Sequence, residues 1–459
     1  MKFKEKKRGP FGIIFSLLLI VLLVAGGYVY LSPAFEQNKP QIISADSIYW
    51  NLKSPIKIDL RDESGIKYYK VTFRDGQKTI VLNQEVLTDV KKDLSIEVLP
   101  PKLDMFYKGI DTSLEVEVVD NSKWNLLEGN KALKIIDVKI DTLKPIANVI
   151  DNSRYIQRGG SAVVVVKVKD ANLKEAYITF NDEKKFKLIP YYKEDYFVAL
   201  IAWPIDFEEF SRVNLIAVDK ADNKTITKVP FYIQKKKIKV DNITLSESFI
   251  KNISASVLEQ SFEPIPQNVR DIFLYSNNDL RAKNVKTIEE SVQKYMDNQF
   301  IESFKINSFD RLRGSKTVAG YGERRHYYLD GEKINEAWHL GIDWASVKKA
   351  PIRISNNGTV IFNGYLGLYG NTLIVDHGMG LASLYAHTSS QSVKLGEEVV
   401  TNQKIANTGA TGAVFGDHLH FGTLVQGVEV NPIEWMDNHW IKVRITDVLA
   451  SAKKLIDGK

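Results

Sequence analysis

The chain of 459 residues contains no cysteine. Disulfides, thiolate metal sites and a lipid-modified cysteine behind an apolar N-terminal segment are therefore excluded. Histidine is scarce, at seven residues, and the His-Glu-x-x-His helix that carries zinc in many protein-directed metalloproteases is absent. Excess charge is scarce too once the N-terminus is set aside. Of a net +6, residues 1–10 carry +4 and residues 310–459 only +1. The basic balance thus marks no nucleic-acid binder, and runs such as Lys235–Lys239 read as solvated linker.

What is present begins with a membrane signal. Residues 1–9 hold five Lys or Arg against one Glu, and Phe11–Leu31 is an uncharged, mostly apolar run of 21 residues. That length crosses a ~30 Å hydrocarbon core as a helix. The basic flank predicts a cytoplasmic tail over 1–10 and an uncleaved signal anchor over 11–31, with the remainder on the outer side. A cleavable signal peptide has a shorter apolar region ending at a small-x-small site, for which only Val24-Ala25-Gly26 is a weak candidate.

Beyond the anchor the chain repeats itself at a period of about 105 residues. Lys39-Pro40, Asp62–Phe73 and Val118–Asn121 have counterparts in Lys144-Pro145, Asp170–Phe180 and Ala217–Asn223. Strand-like runs such as Ser161–Val168 alternate with turn residues, which suggests two tandem immunoglobulin-like sandwiches over 36–142 and 143–235. Neither copy shows a cluster of catalytic residues, so a spacer is the simplest role. Residues 240–310 change pattern. Thr287-Ile-Glu-Glu290 reads as a capping box, and Ile288, Val292, Tyr295 and Met296 share one helical face. A helical connector is expected there, docked on the next domain or covering its groove. A second amphipathic helix is expected over 441–459, with Ile445, Val448, Leu449, Ala452, Leu455 and Ile456 on one face.

The histidines concentrate between these two helical segments: five of the seven lie between His339 and His420. A catalytic zinc site typically takes three protein ligands plus water, so two His and one Asp suffice, leaving two histidines for proton transfer. His418 and His420 alternate with Leu419 and so share one face of a strand. His339 and Asp343 also share a face, but four extended residues span about 13 Å, too far for one ion unless the chain bends. Gly341 is where it can bend. A structural zinc site would favour four ligands and often Cys.

The stretch Gly320–Arg325, His339-Leu-Gly-Ile-Asp343, Gly370–His377, Leu384-Tyr-Ala-His387, Gly409–Gly412 and His418-Leu-His-Phe-Gly422 resembles the lysostaphin-type (LytM-type) zinc metallo-endopeptidases. The resemblance covers about residues 311–437. It implies a small antiparallel β peptidase domain over 311–440 that hydrolyses peptide bonds of peptidoglycan, with Zn2+ on His339, Asp343 and His420 and with His387 and His418 as the catalytic pair. A zinc ion lowers the pKa of water towards about 7 and polarises a carbonyl. His418 is placed to take a proton, and His387 to stabilise the oxyanion or protonate the leaving amine. Some relatives have lost ligands and act as activators of other wall hydrolases; no ligand position is substituted here. His377 reads as structural or substrate-adjacent, and His326 and His439 carry no motif.

The expectation is thus a mainly β, single-pass protein of the inner (cytoplasmic) membrane whose catalytic domain faces the periplasm or cell wall. Its expected partners are peptidoglycan peptides, the membrane and cell-wall or division and shape proteins, with no nucleic acid. The rival is a non-catalytic wall-binding scaffold or hydrolase activator. All ligand and catalytic residues lie after residue 310, so a fragment of 311–459 is expected to hold a complete site.

Overall fold

A computed structural model describes residues 10–76, 78–102, 107, 111–297 and 299–459. The basic tail expected over 1–10 lies outside the described residues apart from Pro10. Pro10–Leu31 is a helix of 22 residues. It is long and apolar enough to cross a membrane, and none of its apolar window is buried against the described residues. The rest is mainly β, divided into two compact units: residues up to Lys144 with Val218–Asn223, and Pro145–Ala217 with Lys224–Lys459.

In the first unit one six-stranded sheet runs in the order Gln41–Ile43, Ile56–Asp75, Thr112–Asp120, Lys131–Ile140, Ser47–Trp50, with Lys78–Val98 also paired to Ile56–Asp75. Period-two burial orders it. Along Thr112–Asp120 the residues Leu114, Val116 and Val118 are buried between half-exposed neighbours. They meet Trp50, Ile58, Leu60, Val71 and Phe73 in one core.

The second unit begins with two four-stranded sheets spanning Ile146–Lys228. The strand Ser161–Lys169 is buried almost throughout, which is why its sequence is a run of valines rather than an alternation. One reason for that burial is the C-terminal helical segment, which packs against this region: Ser153 Oγ donates to the Arg444 carbonyl at 2.7 Å and Tyr191 Oη to that of Leu449 at 3.1 Å. That segment runs through Asn438–Ile441, a π-helical turn and Asp447–Ile456. Ile445, Val448, Leu449 and Ala452 are buried as expected, whereas Leu455, in the last turn, is 54% exposed.

The connector is helical, but it starts earlier than its sequence suggested. Asn268 caps Val269–Tyr275 by accepting from Arg270 N at 2.8 Å, and the helix continues through a π turn into Arg281–Met296. Thr287 therefore lies inside a helix rather than at a cap, and its Oγ1 donates back to the Lys283 carbonyl at 3.0 Å. Ile288, Val292 and Met296 are buried at the predicted spacing. They join a core that continues without a break from the two four-stranded sheets into the C-terminal β domain.

That domain is built on an eight-stranded sheet in the order Lys316–Ala319, Ile342–Ala345, Leu419–Val425, Leu381–Ala386, Asn371–Asp376, Gly358–Tyr365, Glu398–Val399, with Val428–Val430 paired to Leu419–Val425. Its strand pairs are antiparallel. Trp344 stacks on Phe421 at 5.1 Å on one face, which leaves the alternate positions, Asp343 and His420, to the other.

Candidate metal centre and catalytic site

Register assembles the site. Asp343 lies directly across from His420, and Ala386, the residue before His387, lies across from His420 on its other side. His339 ends the strand Glu332–His339, and the chain turns through Leu340-Gly341 before Ile342–Ala345 begins. The bend brings His339 Nε2 to 3.0 Å from Asp343 Oδ2, the approach that an extended chain forbids. A Cβ on Gly341 would stand 2.5 Å from His420 Nε2 and 2.6 Å from the Phe421 carbonyl oxygen. Glycine is therefore required here by close approach.

Three buried side chains converge: His339 Nε2 is 3.2 Å from His420 Nδ1, which is 2.8 Å from Asp343 Oδ1. His339, Asp343 and His420 form a group that could hold a metal ion. Bonds of about 2.0–2.2 Å in a tetrahedron put neighbouring ligand atoms roughly 3.3–3.6 Å apart, so the observed separations fit such an ion after a small relaxation. Protonation fits too. His339 Nδ1 donates to the Gly320 carbonyl at 2.8 Å, which leaves Nε2 with its lone pair facing Asp343. Burial pushes His420 down to about 4. Burial alone would raise the Asp343 carboxyl, but the His339 and His420 imidazoles beside it outweigh burial and hold that group well below the usual carboxylate range. Neutral imidazole and ionised carboxylate are the forms that bind metal.

His387 and His418 lie next to this triad. Their rings are 4.9 Å apart, and His418 Nε2 is 3.8 Å from Asp343 Oδ1. Each has its tautomer set by a backbone carbonyl: His387 Nδ1 donates to Thr411 O at 2.8 Å and His418 Nδ1 to Gly416 O at 2.8 Å. Both leave Nε2 as the basic nitrogen. His387 adopts φ 61°, an uncommon left-handed conformation for a non-glycine residue, and burial pushes its pKa down to about 3. Beneath it the Gly-rich turns meet closely, since a Cβ on Gly370 or on Gly412 would stand 2.4 Å from the other segment's backbone. His377 is separate: it bonds Asn357 O at 2.7 Å and Ser383 Oγ at 2.8 Å, a satisfied interior residue.

The five residues line one cleft of about 370 Å³. Its far wall comes from the connector, through Phe249, Phe273, Asn277 and Arg281, and Phe249 stacks on Phe415 at 4.4 Å. Sequence reasoning missed several of its groups. Arg325 Nη2 lies 3.6 Å from Asp343 Oδ2, while Arg325 Nε and Asn277 Nδ2 are buried with no hydrogen-bond partner among the described residues. Arg325 belongs to the motif Gly320–Arg325, whereas nothing in the connector's sequence marks Asn277 or Arg281. Tyr369 Oη donates at 2.7 Å to Glu429, whose carboxyl burial raises to about 7.

Residues 337–432 match the model of peptidase family M23. Lipoprotein NlpD of Yersinia enterocolitica is 38% identical over 95 residues, 20% of this chain and 97% of that protein. The DD-carboxypeptidase/endopeptidase Mpg of Neisseria meningitidis is 36% identical over 113 residues, and peptidoglycan DD-endopeptidase ShyB of Vibrio cholerae 29% over 167. These cover 25% and 34% of this chain, and 25% and 38% of the two relatives. The chain belongs to peptidase family M23, through its C-terminal β domain. It spans about a quarter of the length of the Neisseria relative it matches.

Proposed function

We propose that this chain is a zinc endopeptidase hydrolysing peptide bonds in peptidoglycan cross-links or stem peptides, held at the inner membrane by residues 11–31. The observation that carries the reading is the convergence of His339, Asp343 and His420 beside two further imidazoles whose Nε2 atoms are left basic. Relatives named as peptidoglycan DD-endopeptidases support the substrate class. His339, Asp343 and His420 would hold zinc, which when bound supplies Lewis acidity and a water acidic enough to ionise near neutral pH.

The chain's own residues do the rest. His418, nearer solvent than His387 and beside Asp343, accepts the proton of the attacking water at Nε2 and returns it to the leaving amine. His387 flanks the carbonyl oxygen; its resting ring is neutral with the proton on Nδ1, so it becomes a hydrogen-bond donor to the developing oxyanion only on taking up a proton at Nε2. Arg325 helps to keep Asp343 ionised. The β regions over 36–142 and 143–235 are immunoglobulin-like spacers in the chain between the helix and the peptidase domain, the second of them sharing its core with that domain. Digestion of purified peptidoglycan by the full-length protein, with mass spectrometry of the newly exposed amines, tests the reading. No new amine from metal-loaded protein would refute it.

A further inference from the structure

The loop Trp124–Glu128 has no part in the site. Three consecutive non-glycine residues there, Asn125, Leu126 and Leu127, have φ of 49°, 58° and 73°. Left-handed backbone is uncommon outside glycine, more so for a bulky residue, and two leucines in sequence are unusual. Turn hydrogen bonds hold it: Leu127 N to Lys123 O, Glu128 N to Asn125 O and Gly129 N to Trp124 O, at 3.3, 3.1 and 3.2 Å. The conformation serves no core, for Leu126 is 95% exposed and Leu127 64%. It displays two leucines at a loop tip with Trp124 half-buried behind them.

Position indicates what the leucines meet. The helix Pro10–Leu31 has 22 residues, a length of about 33 Å that matches the hydrocarbon thickness and leaves Leu31 at its outer edge. The chain does not drift free after that. Ala34 O accepts from Lys123 N at 2.7 Å, and Glu36 O from Ser122 Oγ at 2.7 Å and Asn130 Nδ2 at 3.0 Å. Ala34 lies three positions beyond Leu31, and Leu126 three positions beyond Lys123, each a reach of roughly 10 Å at most. The tip is thus tied within roughly 25 Å of the helix exit. Tyr28 packs edge-on against Phe35 at the helix exit, and Lys67 Nζ reaches the Leu127 carbonyl at 3.5 Å. Aromatic and basic residues of this kind sit at bilayer interfaces.

We propose that Trp124–Glu128 is a second membrane contact, which inserts Leu126 and Leu127 into the bilayer surface beside the anchor helix and so fixes the first β unit against the membrane. The inference rests on the reading of residues 11–31 as a retained membrane span. A lipid interface is the occupant because a loop tied within a few residues of the helix exit is carried there by the helix itself.

The absence of cysteine permits a direct test with the full-length protein in phosphatidylcholine–phosphatidylglycerol vesicles. Single variants Leu126→Cys, Lys78→Cys and Leu19→Cys are labelled with an environment-sensitive fluorophore and exposed to lipids bearing a nitroxide on the acyl chain. Lys78 pairs with Asp75 at the far hairpin turn, nine residues along the strand from Ile66, which pairs with Asp120 beside the loop. Blue-shifted emission and at least twofold quenching at positions 126 and 19, with neither at 78, are expected. Because the label is itself apolar, hydrogen exchange of residues 122–130 in unlabelled protein is the second measurement, and slowing in vesicles relative to detergent that is lost in Leu126→Ser/Leu127→Ser is expected. A quenched label at 19 with a water-like label at 126 would overturn the inference and leave the anchor standing. Unquenched labels at both would overturn the anchor as well.

Discussion

Replacing Gly341 by alanine tests the metal centre without touching a ligand. The new methyl would stand 2.5 Å from His420 Nε2, 2.6 Å from its Cε1 and 2.6 Å from the Phe421 carbonyl oxygen. None of these can retreat cheaply: the ring is buried, and the carbonyl belongs to a strand paired on both sides. Ordinary contact needs about 3.5 Å, so ring or backbone must move by roughly 1 Å, about half the length of a zinc–nitrogen bond. Overpacking of this kind costs about 1–3 kcal/mol in stability. Displacing a ligand should lower zinc affinity at least as much as loss of an outer-shell partner, about 10–100-fold. Competition titration against a chromophoric chelator measures the affinity and calorimetry the stability. Gly416→Ala, whose methyl enters open space, is the control. Wild-type zinc affinity in folded Gly341→Ala would refute the reasoning, because it would mean that His420 is not held where the structure has it.

Alanine at His339, Asp343 or His420 should lower zinc content and peptidoglycan cleavage together, with chelator abolishing activity reversibly; full occupancy in all three would contradict the ligand set. His418→Ala and His387→Ala should keep their zinc and lose about 10²-fold or more in turnover, as for removal of an acid/base group or oxyanion donor. Near-normal rates in both would show the pair to be misassigned. Glu429 and Glu434 are raised by burial from 4.5 to about 7. Their folded forms therefore bind protons that the unfolded chain has released, so their contribution is full below about pH 4.5 and falls as pH rises through about 7. Denaturant titrations should show this fall and its flattening in Glu429→Gln and Glu434→Gln; unchanged profiles would contradict the shifts. A fragment of 311–459 holds all five histidine and aspartate positions but strips Gln426 Nε2 of its Lys187 and Leu200 carbonyls and Glu434 of Gln157 and Ser161. It should melt well below the full chain by circular dichroism, and equal melting would show the shared core to be dispensable.

The sequence by itself determined whatever depends on local pattern. The N-terminal helix long and apolar enough to cross a membrane follows from length and apolarity, the connector's buried stripe from the spacing of Ile288, Val292 and Met296, and the shared face of His418 and His420 from strand alternation. The helix start was misread because Thr287-Ile-Glu-Glu290 has a cap's composition, while the true cap, Asn268, lies a long π-interrupted helix upstream. The family resemblance was legible because His339, Asp343, His387, His418 and His420 all sit in short local motifs. Tertiary structure alone decided the rest. Register, a property of three strands together, sets Asp343 and His387 on either side of His420, and no single segment encodes it. The far wall of the cleft comes from Asn277 and Arg281, more than sixty residues before Asp343, at positions where the connector's sequence shows only helix. Continuity of the core between the second β region and the peptidase domain was hidden for the same reason. A buried face is visible in one segment's sequence, but which other segment covers it depends on the whole fold.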